Sequence, residues 1–215
     1  MDIKLTLRYA ILLAALAAPA TADEISFDSW THQPFSLFSN NDYDREGARL
    51  DIVSEDAVSL IYTPLAPDFW NMRKARWSWR VEESAPSTDL ARKGGDDRNL
   101  SIYAVFLPPD EAERLRGESV VSLLDEPSAR VLTYIWGGAY DRDALLPSPY
   151  LGERGMAVML RPAGVGHHAE RVDFGADVKR AFGAEGMALV GLAVSADSDD
   201  TDSRIRATVS DLVLE

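Results

Sequence analysis

The chain has 215 residues, of which 46% are hydrophobic and 27% are charged. This length and composition fit one globular domain and exclude a disordered chain or a coiled coil. The absence of cysteine excludes disulfides, thiolate metal sites and a cysteine nucleophile. The 35 acidic and 22 basic residues give a net charge of −13. This excess argues against nucleic acid as a partner, because phosphate binding requires a clustered cationic surface.

Residues 1–22 have the pattern of an export signal. A short basic start precedes an apolar run, residues 10–18, and small residues then occupy the positions that a signal peptidase reads. A membrane anchor is the alternative, but a spanning helix needs about 20 apolar residues. We therefore predict cleavage before Asp23, export to a bacterial periplasm, and a single domain of residues 23–215 without stable membrane insertion.

Apolar patterning predicts that this domain consists mainly of β-strands. In residues 75–82 apolar side chains alternate with polar ones, as in a half-buried strand with one solvated face. Residues 48–53 and 57–62 read as an earlier pair of strands joined by a polar turn. Further strands are predicted at residues 100–107, 129–136, 155–160, 187–195 and 204–214, of which the first four are apolar on both faces.

Two short helices interrupt the strands, at residues 109–116 and 176–182, and the second stops at Gly183. Residues 84–92 are polar and lack a periodic apolar pattern, which indicates a loop. Strands and helices do not alternate regularly, so a parallel α/β sheet is not indicated. The pattern predicts an all-β antiparallel sandwich of about nine strands, resembling a jelly roll.

Two tryptophans, Trp77 and Trp79, share one face of the alternating strand. They could form a platform for stacking sugars, but the same stripe continues in other apolar residues, which favours the core. The opposite face carries Arg76 and Arg80. Either guanidinium could bind a carboxylate or sulfate group of a glycan through two parallel hydrogen bonds.

An acidic pair, Asp96 and Asp97, follows two glycines at the start of a predicted strand. Such carboxylates can bind a hard cation, or one of them can act as a general base. Adjacent residues at a strand start point to opposite faces, however, so the two are not expected to serve one site. A solvated turn is the alternative.

A second acidic run places Asp197, Asp199, Asp200 and Asp202 between the last two predicted strands. Its composition is that of a calcium loop, although the EF-hand pattern fails because Thr208 stands at the twelfth position. An exposed acidic turn without an ion is the alternative. Calcium is the one cofactor that the sequence suggests.

The adjacent histidines, His167 and His168, are predicted to lie in a loop and to point in two directions. They therefore make a poor template for zinc, whose ligands must converge. The sequence contains no nucleophile elbow, zinc-protease motif or phosphate loop. The sequence therefore gives no support for a hydrolase of a known motif class or for a nucleotide-binding enzyme.

Several segments together resemble a bacterial exported family known as domain of unknown function 3047 (DUF3047). The resemblance spans residues 25–214 approximately and implies an exported protein of this fold, but no activity. The segments that carry it, in the order of the family, are residues 77–81 (WSWRV), 93–97 (KGGDD), 102–106 (IYAVF), 132–136 (LTYIW), 149–150 (PY), 177–183 (DVKRAFG) and 191–201 (GLAVSADSDDT).

These observations favour a non-enzymatic periplasmic module that binds a carbohydrate or cell-envelope polymer. An alternative is a polysaccharide lyase or hydrolase that uses Asp96 or Asp97 as acid or base, and it would fail if both lay exposed on a convex turn. A third is an envelope structural or protein-interaction factor, which a contiguous exposed apolar patch would favour. The ligand-binding candidates are Arg76, Arg80, Asp96, Asp97 and Tyr103.

Overall fold

The computed structural model describes residues 23–36, 39–119, 122–123 and 125–215. The predicted export signal, residues 1–22, lies outside them. Within the described part of the chain, no helix has both the length and the apolar character needed to cross a membrane.

The described chain forms thirteen strands in two sheets, with two short α-helices, so the predicted all-β sandwich is confirmed. Helix α1 spans Pro109–Arg114 and helix α2 spans Phe174–Phe182, close to the predicted bounds. The strands are β1 (Asp23–Glu24), β2 (Thr31–Pro34), β3 (Asp42–Glu46), β4 (Arg49–Glu55), β5 (Val58–Pro64), β6 (Lys74–Glu83), β7 (Arg98–Leu107), β8 (Arg130–Gly137), β9 (Leu145–Ser148), β10 (Gly152–Arg161), β11 (Gly166–Asp173), β12 (Ala188–Asp197) and β13 (Arg204–Leu214).

The six-stranded sheet has the order β11-β6-β13-β4-β3, and β1 also pairs with β13. The seven-stranded sheet has the order β2-β5-β12-β7-β8-β10-β9. The described pairings are antiparallel except for β8 with β10, which departs from the purely antiparallel prediction. The strands β4 and β5, neighbours in the chain, belong to different sheets, so the turn between them carries the chain from one layer to the other.

The main core lies between the two sheets, and the alternation in β6 places its apolar face there. Trp77 and Trp79 are both buried, with ring centroids 5.4 Å apart. Trp79 also packs against Trp136 of the opposite sheet at 5.5 Å. The two tryptophans are therefore core residues and not a platform for sugars.

The seven-stranded sheet is buried on its outer face as well. A second apolar cluster on that face includes Val105, Leu107 and Val131, together with Ala112 of α1 and Trp70. This covering explains why the predicted strands of this sheet are apolar on both faces. The cover is incomplete, and the uncovered part of the face forms a cleft.

The prediction that His167 and His168 lie in a loop is wrong, because both belong to β11. His167 is exposed and His168 packs against Trp136 at 5.0 Å, so they point in opposite directions. Burial lowers the pKa of His168. Strand β11 was not predicted from the sequence because its inward-facing side chains are not all apolar. They include Glu170, which is buried and paired with Arg161 at 2.7 Å.

Candidate functional site

A cleft of about 440 Å³ opens on the outer face of the seven-stranded sheet. Its floor is apolar and comes from four neighbouring strands, which contribute Leu60, Ala193, Val105 and Val131 among others. The segment of residues 148–151 forms part of its wall. Because the floor is one continuous sheet, the position of each lining side chain is set by strand register.

Aromatic side chains line the cleft at several points. They include Tyr62 and Tyr103 on the floor and Phe35 and Tyr150 at the rim. Tyr150 is 57% exposed, and its hydroxyl donates a hydrogen bond to Asp96 at 2.8 Å. Burial and the neighbouring Asp96 carboxylate raise the pKa of Tyr150 well above its usual value. This tyrosine therefore lines the rim of the cleft with its hydroxyl held in place, and the Lys93 ammonium lies over its ring, 5.1 Å from the centroid.

Arg98, at the start of β7, organises the polar end of the cleft. Its Nη1 lies 3.0 Å from Asp96 and 2.8 Å from Asp197. Its Nε donates to Ser101 at 2.7 Å and its Nη2 donates to the Tyr103 hydroxyl at 2.9 Å. Burial opposes the charged guanidinium, but Tyr103, Asp197 and Asp96 outweigh it and raise the pKa of Arg98. All four partners are thus held by one fixed cation.

The adjacent residues Asp96 and Asp97 lie in two different environments, because successive side chains at a strand start point to opposite faces. Asp96 lines the cleft, whereas Asp97 is fully buried beneath the turn that follows β12. The carboxylate of Asp97 accepts the backbone N–H groups of Asp200 at 3.1 Å and Thr201 at 2.9 Å, and also the Thr201 hydroxyl. Neither aspartate lies on an exposed convex turn, so the condition that would have removed the enzymatic alternative is not met.

Asp197 ends β12 and is almost completely buried at the cleft. Its Oδ2 pairs with Arg98, while its Oδ1 is buried and accepts no hydrogen bond. Burial raises the pKa of Asp197 to about 8, against the lowering effect of Arg98 and with the support of Asp199 and Asp97. Burial and the neighbouring carboxylates thus oppose the ionisation of Asp197, whereas the guanidinium of Arg98 favours it.

The turn after β12 places two exposed carboxylates beside the buried Asp97. One carboxylate oxygen from each of Asp97, Asp199 and Asp200 lies within 4.8 Å of the other two. Asp202 is exposed in the same turn, has a left-handed φ of 49°, and lies outside this group. Of the four residues in the predicted metal set, the structure therefore brings Asp199 and Asp200 together with Asp97, whereas Asp197 and Asp202 lie outside this group.

Arg76 and Arg80 lie apart from the cleft. Both are on β6 of the six-stranded sheet, where the alternate residues face the core, so their side chains point outwards on the other side of the sandwich. Arg76 pairs with Glu215 at 3.1 Å and Arg80 lies 4.0 Å from Glu82. The predicted set of five binding residues is thus split, with Asp96 and Tyr103 at the cleft.

Sequence reasoning missed Arg98, Tyr150 and the contribution of Asp197 to the cleft. One signal was available for Arg98. It stands two residues after Asp96 at a strand start, so the two share a face, and a buried carboxylate requires such a partner. The position of Tyr150 depends on its contact with Asp96, 54 residues earlier in the chain, and no local pattern indicates it.

Comparison with known proteins places the chain in a family. No curated protein matches its sequence. One similar solved structure is the xyloglucanase domain of NopAA, a type three effector from Sinorhizobium fredii, in complex with cellobiose. The two sequences are 9% identical, the structural match covers 92% of this chain and 98% of the xyloglucanase domain, and the TM-score is 0.48. The profile of the family described as "Protein of unknown function (DUF3047)" matches residues 28–213. The chain therefore belongs to the DUF3047 family, as its sequence resemblance predicted.

Proposed function

We propose that this protein binds a carbohydrate or cell-envelope polymer in the cleft on the seven-stranded sheet. The observation that carries the proposal is the meeting of aromatic rings with a fixed cluster of carboxylates around Arg98. Sugars present apolar C–H faces, which pack on aromatic rings, and hydroxyl groups, which donate to carboxylates. Tyr150 and Asp96 offer both kinds of contact side by side.

The charge of the cleft favours a neutral polymer over a strongly anionic one. Among the described residues, Asp96, Asp197, Asp199 and Asp200 line it together with Arg98, and Lys93 lies over the Tyr150 ring at the rim, so acidic groups outnumber basic ones. Arg98 already pairs with two of these carboxylates, so it has little remaining charge to offer an anionic sugar. We therefore expect neutral glycans to bind more tightly than uronate-rich or sulfated ones.

Replacing Tyr150 by alanine should weaken glycan binding about tenfold, which corresponds to the loss of about 1.4 kcal/mol of binding free energy. The residue is half-exposed, so its removal should leave the fold intact. A glycan array identifies the ligand, and calorimetry with that glycan compares the variants. Tyr150→Phe keeps the ring and separates stacking from the hydrogen bond to Asp96.

Arg206→Ala is the matched control for this experiment, because Arg206 is exposed on the six-stranded sheet, away from the cleft. It should bind the glycan as the unchanged protein does. Unaltered affinity in Tyr150→Ala would place the ligand elsewhere, and an array without any bound glycan would overturn the proposal.

A second candidate function is cleavage of the bound polysaccharide. Asp96 and Asp197 both line the cleft and both contact Arg98, so two carboxyl groups converge there, as acid–base chemistry requires. Asp97 is unsuited to this role because it is fully buried and does not line the cleft. If the bound glycan acquires new reducing ends or an unsaturated product, and Asp96→Asn abolishes them, the protein is an enzyme.

The third candidate, a protein-interaction factor, receives less support. Among the described residues the large exposed hydrophobic side chains are Phe35, Tyr150 and Val165. Phe35 and Tyr150 belong to the cleft. These residues do not define a separate apolar patch of the kind that marks a protein interface.

We further propose that the protein acts in the periplasm after cleavage before Asp23. Strand β1 begins at that residue, so cleavage would leave all thirteen strands intact. Protein recovered from the periplasmic fraction of its native cell should start with Asp23, as measured by intact mass or N-terminal sequencing. Recovery of the uncleaved chain in the membrane fraction would support the anchor alternative instead.

A further inference from the structure

Three carboxylates converge where the loop before β7 meets the turn between β12 and β13. Oxygens of Asp97, Asp199 and Asp200 lie within 4.8 Å of one another. Calcium binds oxygen at about 2.3–2.6 Å, so two ligands on opposite sides of one ion are about 5 Å apart. The spacing of the three carboxylates is therefore compatible with a single calcium ion between them.

A separate observation also points to an ion at this place. The Oδ1 atom of Asp197 is buried and accepts no hydrogen bond, although the opposite oxygen of the same carboxyl group pairs with Arg98. This carboxyl group lies within hydrogen-bonding reach of the carboxyl group of Asp199, so two acceptor groups face each other at the edge of the cluster. A buried carboxylate oxygen beside another carboxylate is costly, and a cation next to the pair removes that cost.

The basic residues around the cluster leave its charge uncompensated. Arg98 is engaged by Asp96 and Asp197. In the ranges that the structure describes, no lysine or arginine forms an ion pair with Asp97, Asp199 or Asp200. Mutual repulsion of carboxylates destabilises such a cluster unless a positive charge is bound.

We propose that Asp97, Asp199 and Asp200 bind one calcium ion, which ties the start of β7 to the turn after β12. All three ligands are carboxylates, which suit a hard cation, and they come from an irregular turn and a strand start. Calcium accepts irregular geometry, whereas magnesium requires a near-ideal octahedron. The site stands independently of the proposed glycan function. Its three ligands exclude Asp197 and Asp202, which the sequence pattern alone had included.

Titration of the purified protein with calcium chloride alone tests the site. Calorimetry should show one ion bound per chain, and calcium should raise the Tm, with the increase reversed by a chelator. Asp199→Asn and Asp200→Asn should each weaken binding by at least about tenfold, because calcium affinity depends on the number of charged ligands. Asp202→Asn is the matched control in the same turn and should bind as the unchanged protein does.

The substitutions are nearly isosteric and concern exposed residues, so circular dichroism should show an unchanged fold. The absence of calcium binding at millimolar concentration would overturn the proposal. So would equal losses in Asp202→Asn and Asp199→Asn, which would indicate diffuse attraction to an acidic turn. Magnesium binding as tight as that of calcium would overturn the assignment of the ion. The titration needs no glycan, so its failure and that of the glycan experiment are distinguishable.

Discussion

Replacing Arg98 by alanine is expected to lower the free energy of unfolding by about 3–5 kcal/mol, the usual loss when one partner of a buried ion pair is removed. The side chain is only 11% exposed and pairs with Asp96 and Asp197. Without it, the two buried carboxyl groups lose their counter-charge, and the Tyr103 hydroxyl and Ser101 lose a donor. The polar end of the cleft should lose its arrangement together with the stability.

Urea denaturation measures this loss of stability, and two further variants serve as comparisons. Arg98→Lys keeps the charge but not the planar set of donors, so its loss should be intermediate. Arg49→Ala removes an exposed pair with Asp51, whose side chains are 55% and 40% exposed, and should cost at most about 1 kcal/mol. Similar losses in Arg98→Ala and Arg49→Ala would show that the buried cluster contributes little to folding.

Trp79→Ala should also destabilise the fold by about 3–5 kcal/mol, since it deletes a large aromatic side chain from the core. Trp79 belongs to the largest fully buried side chains and contacts both Trp77 and Trp136. Its removal would leave a cavity between the two sheets at the point where they pack ring against ring. The free energy of unfolding from urea denaturation checks the prediction.

Two further variants separate the contributions of Trp79. Its Nε1 has no hydrogen-bond partner, so Trp79→Phe removes an unsatisfied donor as well as part of the ring and should cost less than the alanine variant. Arg80→Ala changes the next residue, which faces solvent, and should alter stability by no more than about 0.5 kcal/mol. A loss in Arg80→Ala as large as that in Trp79→Ala would contradict the assigned faces of β6.

The long strands could be predicted because their burial follows the apolar pattern. The alternation in residues 75–82 indicates β6 and the face that it buries, and the runs that are apolar on both faces indicate the doubly covered sheet. The number of strands was underestimated, nine against thirteen, because the additional ones are short or polar. Strand β3, for example, reads Asp-Tyr-Asp-Arg-Glu and has no apolar stripe.

The acidic segments were recognisable in the sequence, but their meeting was not. Asp97 and Thr201 are joined by hydrogen bonds across more than one hundred residues of chain. This contact depends on the antiparallel pairing of β7 with β12, which sets the start of one strand beside the end of the other. Composition shows that the charges exist, and only strand order shows which of them share a site.

The polar character of the outermost strands has a consequence for behaviour in solution. Strands β3 and β11 end the six-stranded sheet, and both carry charged side chains, among them Asp44, Arg45 and Arg171. Edges of this kind disfavour pairing with the backbone of a second molecule, since approach would crowd and desolvate the charges. The charged residues that hide these two strands from apolar patterning therefore also protect the edges of the six-stranded sheet against fibril-like association.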